Sequence, residues 1–204
     1  MKKLLLASAI TLFVVFSVQA AELQQYTSLK TNYTSMRNTF KNMEGKRKLN
    51  KRVYGGSLAY GLKFGDVRTE LEGNINKAAR KRLAYEDVKT KIHADSVMLN
   101  GYYDIPTGIA LRPYIGAGIG IARVRGIFKW IPEYEEDPGK FKMSGNKLAY
   151  QLAGGATYEL TQNWNIDAEY RHAYFGTISK TDEYGKSTLS VKTHNFYLGL
   201  RYTF

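Results

Sequence analysis

Residues 67–75 read VRTELEGNI, a stretch in which two kinds of side chain alternate. The odd positions, from Val67 to Ile75, form a largely apolar face when the chain is extended. The even positions point the other way and carry charged or amide side chains: Arg68, Glu70, Glu72 and Asn74. A period of two indicates a β-strand with one apolar face, because a helix would scatter these charges around its circumference.

The same alternation recurs in six other parts of the chain. Their apolar faces run over Tyr54 to Phe64, Val97 to Tyr103, Leu111 to Ile121, Leu148 to Leu160, Ile166 to Tyr174 and Phe196 to Phe204. An eighth strand is assigned within residues 24–36. Its alternation, at Leu29, Thr31 and Tyr33, is weak, but a sheet of this kind must close to remove its exposed edges. The chain is therefore predicted to be all-β.

The connections between these strands fall into two length classes. Three are short and rich in turn-forming residues, at 64–66, 104–108 and 161–164. Four are long, at about 37–52, 77–90, 124–146 and 177–190. Short turns on one side and long loops on the other are typical of an outer-membrane barrel, whose turns lie in the periplasm and whose loops are extracellular.

A soluble sandwich or a lipocalin would show the same period of two, so the residue types on each face must decide between these classes. The charged face interleaves its ions with small residues: Gly116, Gly118, Gly120, Ala149, Ala153 and Gly155. Small side chains suit the narrow interior of a barrel, where Arg and Glu side chains need room. The charged face is therefore predicted to point inward.

The apolar face carries aromatic residues near both ends of the strands. Those beside the short turns are Phe64, Tyr103, Tyr158, Trp164 and Tyr202, and those toward the long loops are Tyr54, Tyr150, Tyr174 and Phe196. Two aromatic girdles indicate two membrane interfaces. The predicted fold is a transmembrane eight-stranded antiparallel up-and-down β-barrel.

The first twenty residues have the layout of an export signal. Lys2 and Lys3 precede the apolar residues 4–18, and small side chains surround the end of the segment at Ala20. A membrane anchor is the alternative, but this apolar stretch is shorter than the ~20 residues that a spanning helix needs. We predict a cleaved N-terminal signal peptide, residues 1–20, followed by one outer-membrane barrel domain, residues 21–204.

Composition limits the chemistry of the chain. Its 204 residues include no Cys, which excludes a disulfide framework and a thiolate metal site. Beyond residue 21 no run of 18 apolar residues occurs, so no transmembrane helix is predicted. Neither a metal nor a cofactor is expected. Removal of Lys2 and Lys3 with the signal lowers the formal charge from +12 to +10.

Several segments together carry a resemblance to a known family. They are NGYYD at 100–104, RPYIGAGIG at 112–120, LTQNW at 160–164 leading to EYR at 169–171, and YTF at 202–204. In the order and spacing of these motifs, residues 53–204 resemble the opacity family of porin-like outer-membrane proteins and its OmpA-like relatives. Residues 21–52 show no clear match.

The resemblance implies a barrel in the cell outer membrane with four exposed loops. In opacity proteins such loops attach to host-cell receptors or sulfated glycans, although the loops here do not assign a receptor. The resemblance also implies that the C-terminal aromatic residues, Tyr202 and Phe204, are the signal by which the barrel-assembly machinery recognises the chain.

The strand register predicts which ions face the lumen. The cations are Lys63, Arg68, Arg112, Arg171 and Arg201, and the carboxylates are Glu70, Glu72, Asp104, Glu159, Asp167 and Glu169. Charges in a narrow interior must be paired or hydrated, which predicts a salt-bridge network. An eight-stranded barrel has room only for its own side chains. A functional pore is therefore the less favoured alternative, although rearranged ion pairs would allow small, occasional conductance.

The first two long loops hold most of the positive charge. Residues 35–52 carry a net charge of +6 and residues 76–91 a net charge of +4, which together equal the charge of the mature chain. The candidate binding residues are Lys46, Arg47, Lys48, Arg80, Lys81 and Arg82. Such a potential attracts anionic polymers or lipopolysaccharide phosphates. A solvated loop that merely satisfies local lipid phosphates is the alternative.

The third long loop differs because it is aromatic. Phe128, Trp130 and Tyr134 precede three acidic residues at 135–137, and exposed aromatic side chains are candidates for protein contact. Packing of these side chains against the barrel rim is an equally plausible reading.

Catalysis is not predicted. A Ser nucleophile would need a nearby His supported by a carboxylate, and the sequence around His93, His172 and His194 matches no such arrangement. We expect a monomeric barrel that contacts outer-membrane lipid, lipopolysaccharide and the assembly machinery, and no nucleic acid. Its loops are expected to serve adhesion or to bind anionic glycans or host receptors. The alternatives are a narrow porin with weak pore activity and a purely structural envelope barrel.

Overall fold

The computed structural model describes residues 23–42, 45–77, 79–82, 88–130, 139–182 and 185–204. Within these ranges it gives the backbone alone at 40–42, 45–49, 79–82, 88–90, 128–130, 139–141, 180, 182 and 185–186. The predicted signal peptide, residues 1–20, lies outside the described residues.

The described part of the chain forms one closed antiparallel sheet. Its strands are β1 (Gln24–Asn42), β2 (Gly45–Phe64), β3 (Val67–Asn76), β4 (Ala79–Arg82), β5 (Val88–Asp104), β6 (Leu111–Trp130), β7 (Gly139–Glu159), β8 (Trp164–Asp182) and β9 (Gly185–Thr203). Consecutive strands pair with each other except for β3 and β4, which both pair with β5, and β9 pairs with β1. β3 and β4 therefore act together as one strand of the barrel, and the predicted eight-stranded barrel is confirmed. None of the described segments is a helix long and apolar enough to cross a bilayer.

Side chains alternate between the two surfaces of the wall. In β3, Arg68, Glu70 and Glu72 are at most 1% exposed, whereas Leu71 is 58% and Ile75 is 71% exposed. Ionic side chains thus face the lumen and apolar side chains face outward, which is the arrangement that a lipid environment requires.

Aromatic rings border the exposed apolar band at both ends. Beside the short turns, the centroids of Trp164 and Tyr202 are 4.8 Å apart and those of Tyr202 and Phe204 are 5.3 Å apart. At the other end, centroids 5.1 to 5.4 Å apart join Tyr33 with Tyr54, Tyr150 with Tyr174, and Tyr170 with Phe196. Two girdles therefore bound the band, and the second one is called the outer girdle below.

The short turns form where the sequence predicts them, between β2 and β3, β5 and β6, and β7 and β8. Gly65 and Gly108 take positive φ angles of 58° and 71° in two of these turns. Only glycine adopts such angles without steric cost, so these residues allow the chain to reverse within a few positions.

The prediction of long loops at 37–52, 77–90, 124–146 and 177–190 is wrong. Most of these residues lie in strands: β1 continues to Asn42 and β2 already begins at Gly45, and β8 and β9 likewise approach each other at Asp182 and Gly185. The barrel wall thus continues beyond the outer girdle. Apolar side chains on the inner surface, including Val53, pack together there and stabilise the extended hairpins.

Candidate functional site

An ionic layer fills the part of the lumen that lies within the apolar band. At its centre is Arg171, a fully buried residue whose Nη1 is 2.6 Å from Glu72 Oε1 and whose Nη2 is 2.5 Å from Glu169 Oε1. Lys30 joins the same group, with Nζ 2.8 Å from Glu70 Oε2 and 3.1 Å from Glu72 Oε2. These five side chains form one connected cluster of two cations and three carboxylates.

A second group lies nearer the short turns and is joined to the first by Arg68, whose Nη1 is 3.8 Å from Glu70 Oε1. Arg68 places Nη2 2.8 Å from Asp104 Oδ1, and its guanidinium carbon is 4.9 Å from the ring centroid of Tyr102 and 4.8 Å from that of Tyr114. Contacts with two rings and a carboxylate compensate for the desolvation of a buried guanidinium.

The mouth of the lumen beside the short turns is more exposed to solvent. Arg201 lies 3.3 Å from Asp167, while Arg112 lies 3.1 Å from Glu159 with both side chains about a third exposed. Arg112, Glu159 and Arg201 line a cavity of about 260 Å³ together with Lys63. The ionic layer is thus packed at its centre and more open at this end.

Inward-facing glycines make room for the long side chains. A Cβ at Gly61 would collide with the Tyr26 ring, and one at Gly116 would collide with the Tyr102 ring. By contrast, a Cβ on the outward-facing Gly73 would meet no atom within 4 Å. The small residues of the charged face therefore have the space-making role that the sequence suggests.

The structure brings together all eleven ions that the register assigns to the lumen and adds Lys30. With Lys30, the layer contains six cations, Lys30, Lys63, Arg68, Arg112, Arg171 and Arg201, and six carboxylates, Glu70, Glu72, Asp104, Glu159, Asp167 and Glu169. The sequence signal for Lys30 is its place between Leu29 and Thr31, which puts it on the inward face of a strand whose alternation is weak.

An apolar layer continues the interior on the extracellular side of the ionic layer. Its buried members are Met36, Val53, Ile92, Ala94, Met98, Ala122, Val124, Met143, Ala149, Ala173, Phe175, Ile178, Leu189 and Val191. Each is at most 6% exposed, so these side chains pack inside the barrel beyond the ions. Most of these residues fall in or beside segments interpreted as loops, so sequence reasoning missed the layer; Met98, Ala149 and Ala173 lie within predicted strands.

The predicted binding residues of the first two loops lie on strands. Lys46, Arg47 and Lys48 begin β2, opposite Lys41, Phe40 and Thr39 of β1, and Arg80, Lys81 and Arg82 form β4, opposite Lys91, Thr90 and Lys89 of β5. In the third loop, Phe128 and Trp130 end β6, whereas Tyr134 lies outside the described residues. The backbone therefore gives these positions a fixed register rather than loop conformations.

Cations lie directly opposite one another across four neighbouring strands. Arg82, Lys89, Lys129 and Lys140 form one such row across β4, β5, β6 and β7. Two residues nearer the membrane, a second row contains Arg80, Lys91, Ile127 and Lys142. We call the seven cations of these two rows the basic wall.

Comparisons with known proteins agree with this architecture. The model of the outer membrane protein beta-barrel domain family matches residues 6–204. Outer membrane protein PagN of Salmonella typhimurium is 32% identical, over 76% of this chain and 74% of PagN. Opacity protein opA50 of Neisseria gonorrhoeae is 26% identical, over 61% of this chain and 59% of that protein. The crystal structure of Neisserial surface protein A aligns over 88% of this chain and 97% of that protein, with a TM-score of 0.61. At 17% identity, this similarity shows the fold alone.

Proposed function

We propose, from the premise that this chain belongs to the outer membrane protein beta-barrel domain family, that it is an attachment protein whose extracellular wall binds anionic glycans. Family membership gives its location, the cell outer membrane, and the similarity to opA50 confirms the resemblance to opacity proteins. Attachment to a glycan or receptor is the further step, and it rests on the following observations.

The basic wall is the observation that carries this proposal. Neighbouring strands are about 4.8 Å apart, so its first row sets four cationic positions at regular intervals across the sheet. Like charges directly opposite one another destabilise a sheet, and a polyanion bound across the strands would remove that cost. Within β4 to β7 the acidic residue on the extracellular side is Asp95, and it is paired with Arg125 at 2.9 Å.

The chemistry of the wall favours a linear polymer with repeated sulfate or phosphate groups. Such a ligand can contact cations that are spaced one strand apart, and it needs no deep pocket. Its affinity would come mainly from exposed charge, so it should fall as salt rises. A protein receptor held by Phe128, Trp130 and Tyr134 would behave differently, because apolar anchors are nearly insensitive to salt.

The lumen supports an attachment role better than a porin role. Fully buried ion pairs at Arg171 and the apolar layer beyond them place packed side chains across the lumen. Eight-stranded barrels of this width do not enclose an aqueous channel. A purely structural envelope barrel remains the alternative that the binding experiment addresses.

We also propose that the barrel is not an enzyme. His194 places Nδ1 2.6 Å from the hydroxyl of Tyr170, and its ring centroid lies 4.6 Å from that of His172. Both histidines lie on the outward face of their strands, level with the outer girdle, and their described contacts are with each other and with tyrosine. This is not the arrangement of a nucleophile, a base and an orienting carboxylate.

The test compares attachment of folded variants to heparin-coated and bare surfaces at low and high salt. The triple variant R82Q/K89Q/K129Q should lose most attachment to heparin, and high salt should reduce wild-type attachment in the same way. A matched variant of equal charge, R37Q/R52Q/K192Q on the opposite side of the barrel, should keep it. A second triple variant, K46Q/R47Q/K48Q, measures how much of the attachment depends on the first hairpin.

Three results would contradict the proposal in different ways. Unchanged attachment of both basic triples to every anionic surface and host cell would leave the structural barrel as the function. Loss of attachment in Trp130→Ala, without dependence on salt, would assign binding to the aromatic segment. Equal losses in R82Q/K89Q/K129Q and R37Q/R52Q/K192Q would show that overall charge, and not the basic wall, governs attachment.

A further inference from the structure

We propose that the outer surface of β8, β9, β1 and β2 holds a binding site for a phosphate group of lipopolysaccharide in the outer leaflet. The site consists of Arg37, Arg52, Lys192, His172 and His194, which we call the lipid-phosphate patch. It is separate from the basic wall, which lies on β4 to β7, and it serves the membrane rather than a ligand in the medium.

The strand register brings these residues together. Lys192 lies directly opposite Arg37, and Ser35 lies between His194 on one neighbour and Arg52 on the other. His172 in turn lies opposite His194. The patch therefore crosses four neighbouring strands within a height of two or three residues.

Its height matches that of lipid headgroups. Tyr33 of the outer girdle pairs with Phe196 and with Tyr54, and the row through Ser35 lies only two residues farther from the membrane centre. Two residues of a strand span about 6.6 Å, and a girdle of aromatic residues marks the depth of the headgroups. Arg37, Arg52 and Lys192 are exposed on the outward face, next to the lipid.

The positive charge of the patch has no described acidic partner. Arg37 and Lys192 form a like-charge pair in direct register, which costs stability unless an anion lies between them. Among the described side chains of these four strands, the acidic ones are Asp167 and Glu169, and both face the lumen. A phosphate group of the surrounding lipid would supply the compensating anion.

The patch also contains an unused polar atom. His172 Nδ1 is buried without a hydrogen-bond partner, although the ring packs against His194 at a centroid distance of 4.6 Å. Beside it, Lys192 Nζ lies 5.9 Å from the ring centroid of Tyr174, which leaves its N–H groups available. A phosphate offers several acceptor oxygens to such donors, and a charge-assisted hydrogen bond is the strongest kind available here.

The experiment measures the apparent dissociation constant of bisphosphorylated lipid A for the folded barrel in nanodiscs of zwitterionic phospholipid. R37Q/R52Q/K192Q should weaken binding at least about tenfold, which corresponds to ~1.4 kcal/mol. The control K77Q/R123Q removes two exposed cations that belong neither to the patch nor to the basic wall, and it should change the constant less than about twofold. Dephosphorylated lipid A should bind wild type as weakly as it binds the patch variant.

Each contrary result overturns the assignment. An equal loss in the control variant would mean that general surface charge governs lipid A binding, and tight binding of dephosphorylated lipid A would mean that the acyl chains suffice. Displacement of lipid A by millimolar inorganic phosphate would mean a free-phosphate site. Heat-modifiable gel mobility establishes that each variant is folded. Should the triple fail to fold, the single variants Lys192→Gln and His172→Gln must each weaken lipid A binding, or the site is not as described.

Discussion

Replacing the buried Arg171 by Met should destabilise the barrel more than breaking an ion pair that the structure describes at the mouth of the lumen. Arg171 is fully buried and contacts the carboxylates of Glu72 and Glu169. Its guanidinium carbon also lies 4.3 Å from the ring centroid of Tyr197. The change leaves five cations against six carboxylates in the ionic layer, and breaking a buried pair in this way costs about 3–5 kcal/mol.

The control is the pair of Arg112 and Glu159 at the mouth of the lumen. These side chains are 33% and 36% exposed, so water can solvate whichever partner remains. Arg112→Met should therefore cost no more than about 1 kcal/mol. The two variants change the same residue type and differ chiefly in the burial of the site.

A second control restores the charge balance. Glu169→Gln in the Arg171→Met background removes one carboxylate and leaves an amide that still reaches the hydroxyl of Tyr114, which lies 3.3 Å from Glu169 Oε2. The double variant should recover part of the lost stability, since neighbouring ions in one network are not additive.

The assay is urea unfolding of the barrel in phospholipid vesicles, followed by tryptophan fluorescence and by heat-modifiable gel mobility. If Arg171→Met lowers the free energy of unfolding no more than Arg112→Met does, the buried ionic layer does not stabilise the barrel. If the double variant is as unstable as the sum of its parts, unpaired charge is not the cause of the loss.

Three other predictions use the same folded protein. Leu198→Arg, in the middle of the lipid-facing band, should cost ~2–4 kcal/mol, and a lipid-restricted quencher should reach a label at Leu198 but not at Tyr197; quenching at the latter alone would invert the register. Gly116→Val should cost ~1–3 kcal/mol through its collision with Tyr102, whereas Gly101→Val, with open space around it, should be neutral in urea unfolding. Planar bilayers should show no steady single-channel conductance, and a steady channel would restore the porin alternative.

The strand faces within the membrane could be predicted because each strand there has one apolar side. Leu198 and Tyr197 are a clear case: the first is 58% exposed and the second 6% exposed, on the faces that alternation gives them. Lipid on one side and a sealed lumen on the other make the pattern strong. Lys30 was missed because Thr31 and Tyr33, its outward neighbours, are barely more apolar than the residues that face inward.

The extracellular strands could not be predicted by the same rule. There the outside meets water, so Arg37 and Lys192 face outward while Met36 and Val191 are buried inside. The alternation continues, but its polarity is reversed relative to the membrane segment. A rule that expects apolar residues outside reads such a segment as irregular, and the high density of Lys and Arg strengthened the interpretation as loops.

The reversal of polarity at the outer girdle has a consequence for how the surface binds. Throughout the wall one face of each strand is apolar and the other polar, so a slip of one residue would bury charge and expose apolar side chains on both sides of the girdle. Register is therefore specified in the extracellular hairpins as strongly as in the membrane. Cations such as Arg82 and Lys89 are then held at strand intervals by the sheet, and a bound polymer need not order a loop before it makes its contacts. For that reason, inserting one uncharged residue into β5 between Ile92 and His93 should shift Lys89 and Lys91 out of register with the neighbouring strands. The insertion should reduce binding of an anionic polymer as strongly as neutralising the first row of the basic wall, although the net charge is unchanged.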